Sequence, residues 1–166
     1  MGSLRVHGLA IGVALLGIGG TATAADEVGK WYVAPLIYKV WTGNDRNTGD
    51  HSAAGLAVGK NTSDNWSVEL AFNRGRFAGL TSADDLTVNA LSLDFLRHFY
   101  RESKTHPYIT FGVVQSDESR DSVGNYQRQM VQGGLGIESR LFATPDRSGV
   151  LELRAELKGR WHVSLI

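Results

Sequence analysis

The stretch Val150 to His162, V-L-E-L-R-A-E-L-K-G-R-W-H, constrains the fold more than any other part of the chain. Leu151, Leu153, Ala155, Leu157, Gly159 and Trp161 occupy one set of alternate positions. Glu152, Arg154, Glu156, Lys158, Arg160 and His162 occupy the other. A period of two puts these sets on opposite faces of a β-strand, one apolar or small and one ionisable. Soluble strands usually run about 5–6 residues, whereas a tilted membrane-spanning strand needs about 9–11. The length of this pattern therefore raises the question of which face meets water.

Similar alternations recur upstream. Lys30–Trp41 separates Trp31, Val33, Pro35 and Ile37 from Tyr32, Ala34, Leu36 and Tyr38. Ser52–Lys60 sets Gly55, Ala57 and Gly59 against Ala54, Leu56 and Val58, and the next segment sets Trp66, Val68, Leu70 and Phe72 against Ser67, Glu69, Ala71 and Asn73. Leu86–Phe99, Pro107–Gln115 and Tyr126–Leu141 complete a set of seven strands with Val150–His162. With no helical period between them, they predict an antiparallel up-and-down meander. The first, third and fifth connections, including the charged segment Ser116 to Asn125, read as longer loops. The connections between them read as shorter turns, the habit of outer-membrane barrels.

In a soluble barrel the apolar face points inward; in a membrane barrel it meets lipid and the polar face fills the lumen. Strand length, glycines on the polar faces, and aromatic residues near strand ends favour the second. Those aromatics are Trp31, Trp41, Trp66, Phe99, Tyr100, Tyr108, Tyr126 and Trp161. Inward charges then need partners, because an unpaired ion there costs several kcal/mol. Glu69, Glu138, Glu152 and Glu156 are expected to meet Arg128, Arg154, Lys158 and Arg160. For Lys158, Arg160 and His162, near the rim, an exposed position is the simpler expectation.

At the N-terminus, Arg5 and His7 precede an apolar run from Leu9 to Gly20 and an Ala22-Thr23-Ala24 site. This is the pattern of a secretory signal peptide. The expected division is a leader over 1–24 and a barrel domain over 26–166. The 17 basic and 17 acidic residues balance, which gives no nucleic-acid footprint. The absence of cysteine removes thiol and disulfide chemistry. His98 and His106 flank a turn with no carboxylate at ligand spacing, and with His51 they read as surface histidines.

From Trp31 to Trp161 the chain resembles the N-terminal β-barrel domain of outer membrane protein A-like (OmpA-like) proteins of Gram-negative bacteria. The segments that carry the likeness are W-Y-V-A-P at Trp31, D-R-N-T-G-D at Asp45, A-A-G-L-A-V-G-K at Ala53 and S-V-E-L-A-F at Ser67. P-Y-I-T-F-G-V at Pro107, Q-G-G-L-G-I-E at Gln132 and L-E-L-R-A-E-L at Leu151 complete them. The resemblance implies an eight-stranded transmembrane barrel with an interior salt-bridge network, in which Glu69, Glu138, Arg154 and Glu156 match interior charged positions. A peptidoglycan-binding domain often follows in that family. With about seven strands counted and the chain ending at Ile166, the barrel reads as truncated before its last strand.

The resulting expectation is an outer-membrane barrel with an envelope-integrity or small-pore, porin-like role. No catalysis, cofactor or metal is expected. Partners would be outer-membrane lipids and lipopolysaccharide, with peptidoglycan reached through a further domain and no nucleic acid. Two rival readings remain. His162-Val163-Ser164 allows a lipid A-modifying hydrolase, since a serine nucleophile needs a base beside it. Gly29-Lys30-Trp31 allows a lipocalin-type ligand-binding barrel.

Overall fold

The structure, a computed structural model, describes residues 6–15, 28–41, 51–77, 86–120, 124–143 and 150–162. Eight strands follow one another: β1 (Val6–Leu15), β2 (Trp31–Trp41), β3 (His51–Ser63), β4 (Trp66–Phe77), β5 (Leu86–His98), β6 (Thr105–Arg120), β7 (Gly124–Ala143) and β8 (Val150–His162). Each pairs antiparallel with its sequence neighbours, and β1 pairs with β8 to close a barrel. Closure matters physically because a bilayer offers no water to unpaired strand edges. Among the described residues no helix is long and apolar enough to cross a membrane.

The seven strands expected from the sequence are all present, as β2 to β8. The eighth, β1, comes from the apolar run that also reads as the core of a signal peptide. It stands between β8 and β2, with Gly12 opposite Glu156 on one side and Tyr38 on the other. Pro35 in β2 lies one residue past the last β1–β2 partner pair, where its missing N–H takes nothing from that ladder.

One connection differs from expectation. Ser116 to Asn125 is no long loop: the β6–β7 ladder continues through Ser116↔Arg128 and Asp117↔Gln127 to Arg120↔Gly124. Both faces of this extension are polar, so it carries no apolar alternation to betray a strand, yet its backbone groups still pair. Gly124 has a φ of 97°, a conformation that an L side chain would resist.

The two faces are distributed as a membrane barrel requires. Leu70, Leu93 and Val113 are register partners on β4, β5 and β6 and are 51%, 39% and 56% exposed. Glu69 and Asp94, one residue away, are 1% and 0% exposed. A lipocalin-type cavity needs the reverse, so that rival reading fails on the orientation of these strands. At the end carrying the β3–β4 and β5–β6 turns, Arg97 lies over the rings of Trp66 and Phe99, and Lys60 lies over Trp31. Such basic–aromatic pairs suit a membrane–water boundary. Tyr108 does not belong to this belt: it is buried in the lumen.

Candidate functional site: the charged lumen

The lumen is built by alternation plus register. On β4 and β5, Glu69 and Asp94 are direct ladder partners; on β7 and β8, Glu138 and Arg154 are. Room for such side chains comes from glycines placed opposite them. Gly59 faces Glu69, Gly112 faces Asp94, Gly134 faces Lys158 and Gly136 faces Glu156. A methyl group at Gly112 would collide with the Asp94 carboxylate, and one at Gly136 with the Tyr108 ring and the Ala155 carbonyl. Replacing Gly136 with valine is therefore expected to destabilise the barrel by about 1–3 kcal/mol, as overpacking does. Urea unfolding of the refolded protein checks this.

The charges satisfy one another across the lumen. Arg154 donates from Nη1 and Nη2 to the two Glu69 oxygens at 2.8 and 3.0 Å, and the Tyr32 hydroxyl donates to Glu69 at 3.2 Å. Lys158 Nζ lies 2.9 Å from Glu156 and 3.2 Å from Asp94. Gln132 Nε2 donates to both Asp94 oxygens at 2.6 and 2.8 Å, and Arg160 Nε donates to Gln132 Oε1 at 3.1 Å. The Tyr108 hydroxyl closes the set on Glu156 at 2.7 Å. The result is a chain of charge-assisted contacts in a low-dielectric space, where each satisfied partner strengthens the next.

Of the sequence candidates, Glu69, Arg154 and Glu156 lie in this network. Glu138 lies apart, toward the turn end, with His98 and His106. Arg128 sits on the extended β6–β7 ladder and pairs with Glu118 at 3.6 Å, half in solvent. Glu152 faces Arg140 at 3.7 Å. Lys158 departs from its expected exposed position: its glycine neighbour Gly134 lets it lie flat and buried between two carboxylates. His98 and His106 are likewise buried rather than on the surface. The missing carboxylate comes from β7, because the β6–β7 register sets Glu138 directly opposite His106.

The sequence reading leaves Asp94 and Gln132 out of the interior pairing set and counts Tyr108 among the strand-end aromatics. For all three the signal was present in simple parity. Asp94 alternates with Leu93 and Phe95, and Tyr108 with Pro107 and Ile109. What parity could not supply was the cross-lumen partner.

The turn end is plugged separately. Arg101 reaches Asn61 Oδ1 at 2.7 Å and the Asp64 carbonyl at 3.4 Å, and Ser67 Oγ donates to the same Asn61 oxygen. Tyr100, at a φ of 55°, turns the chain just before Arg101. Burial lowers the Arg101 pKa from its ordinary value, while Glu138 and then Glu152 push the other way. The His162 side chain and Ser164 lie outside the described residues, and with them the His-x-Ser pair.

A search among curated proteins finds no match to this chain. The model of the outer membrane protein beta-barrel domain family matches residues 11–156, which covers most of the chain and reaches from β1 into β8. Apolar strands outside, paired charges within and this match agree, and the chain belongs to the outer membrane protein β-barrel domain family.

Proposed function

We propose that the chain is a structural outer-membrane barrel of the OmpA-like type, held in the lipid and lipopolysaccharide of a Gram-negative envelope, with a lumen closed to solutes by its own charges. The observation that carries this reading is the Arg154–Glu69 pair. It joins β8 to β4, which are four strands apart in either direction around the ring, so the bridge crosses the lumen. Lys158, Asp94 and Gln132 pair beside it, which supports a lumen filled by its own side chains. Planar-bilayer recording tests the reading. The refolded protein is expected to give rare, small openings, and Glu69→Gln to raise their frequency. Wide, stable channels in the unaltered protein would instead support a porin.

The leader reading makes a second prediction. Residues 1–24 are proposed to be removed on export, although Val6–Leu15 forms β1 in the structure. Once they are removed, another strand must take the place between β8 and β2, because those edges cannot stay unpaired in lipid. Intact-mass measurement of the outer-membrane form is expected to give an N-terminus at Ala25 or Asp26. A mass starting at Met1 would make β1 the permanent closing strand.

A further inference from the structure

The turn end of the lumen holds three buried groups that the charge network does not use. His98 ends β5, His106 lies at the start of β6, and Glu138 stands across the ladder from His106 on β7. One donor atom from each lies within 4.8 Å of the other two. His98 Nδ1 is 3.4 Å from Glu138 Oε2, and His106 Nε2 is 3.3 Å from the same oxygen. Neither nitrogen, nor His106 Nδ1, makes a hydrogen bond of acceptable geometry.

The contacts around His98 determine which of its nitrogens carries hydrogen. Arg101 can only donate, so the Asn61 atom it meets at 2.7 Å is the amide oxygen. Ser67 Oγ lies 2.7 Å from that same oxygen and gives its single proton to it. Ser67 is then the acceptor toward His98 Nε2 at 3.1 Å, and Nε2 carries the hydrogen. His98 Nδ1 is left facing a carboxylate oxygen, either as a full imidazolium or with a lone pair aimed at negative charge. A lone pair against a buried carboxylate is unfavourable, and a cation between them removes the conflict. The anchored Nε2–H is also the outer contact by which metal-binding histidines fix their ring and tautomer.

Two of the three spacings fit a metal. Tetrahedral bonds of about 2.0–2.1 Å to Zn²⁺ separate the ligand atoms by about 3.3–3.4 Å. Both His–Glu separations meet that value. Two imidazoles and one carboxylate suit zinc and its first-row neighbours, with one coordination position to spare. Glu152 is buried at this end too, opposite Arg140 at 3.7 Å, and Arg101 is tied to Asn61 and the Asp64 carbonyl.

We propose that His98, His106 and Glu138 form a binding site for a divalent transition-metal ion such as Zn²⁺, which ties β5, β6 and β7 together at the turn end of the barrel. The test uses the full chain, untagged and refolded in detergent, titrated with Co²⁺ and followed by visible absorption. One equivalent is expected to give the intense bands of tetrahedral Co²⁺, displaced by Zn²⁺. His106→Asn and Glu138→Gln are each expected to abolish the bands, Ser67→Ala to weaken binding by about 10–100-fold, and His51→Gln to leave it unchanged. The gel shift between unboiled and boiled samples verifies that each variant folds. Should a variant fail to fold, histidine-ring NMR of the unaltered protein decides, since Zn²⁺ must shift two rings together. Absence of tetrahedral Co²⁺ bands in the folded unaltered protein overturns the proposal. Binding that survives both His106→Asn and Glu138→Gln overturns it as well.

Discussion

Arg154→Ala is expected to destabilise the barrel by about 3–5 kcal/mol, the usual cost of stranding one member of a buried ion pair. Arg154 and Glu69 are 3% and 1% exposed, and their two hydrogen bonds form a matched fork. Removing the guanidinium leaves Glu69 with the Tyr32 hydroxyl as its donor among the described residues, in a space with little solvent to replace what was lost. The cost lies in the orphaned carboxylate and not in the attraction alone. Arg154→Met combined with Glu69→Leu is therefore expected to recover most of the loss, because two apolar groups leave no ion unsatisfied. A urea-unfolding series over both single variants and the double variant measures the coupling directly. Equal, small effects for every member of the series would mean that water reaches this layer and screens it.

The same pair shows how much of the molecule could be read from its sequence. Parity alone placed Glu69, Arg154 and Glu156 on the inner face, because a strand has only two faces and the other was filled with leucine and phenylalanine. Parity says nothing about the neighbour across the ring. Arg154 pairs with a residue 85 positions away, and that choice depends on strand order, ladder register and barrel diameter together. Lys158 illustrates the limit. Its place near the end of a strand suggests a solvated rim, but Gly134 on β7 opens a recess that draws the ammonium between Glu156 and Asp94.

The histidines were misread for a related reason. Ligand spacing along a strand would place two donors at positions i and i+2, and no such spacing occurs around His98 or His106. The grouping with Glu138 is made instead by two ladders, β5–β6 and β6–β7. The extended β6–β7 ladder escaped for the opposite reason: above the lipid belt, strands keep their backbone pairing but lose the apolar alternation by which strands are recognised. The apolar run at the N-terminus is ambiguous on physical grounds as well. A leader core and a lipid-facing strand both call for short, apolar, glycine-containing sequence, so composition cannot separate them.

Which face is lipid-facing has a sharper test, with an effect of comparable size. Leu93→Arg places a charge in the middle of the apolar band, between its register partners Leu70 and Val113. At the bilayer midplane an outward-facing arginine costs about 2–4 kcal/mol, falling to about 0–1 near the interfaces. Ile137→Arg, on the outer face near the turn end, is the shallow counterpart, one position from the buried Glu138. Unfolding in phospholipid vesicles is expected to show the large loss at Leu93 and little at Ile137. No packing argument produces that gradient, because both side chains are exposed in the isolated barrel, and surface substitutions in water usually change stability by no more than about 0.5 kcal/mol. A Leu93→Arg protein as stable as the unaltered chain would put this face in water, and the charged lumen would then need another explanation.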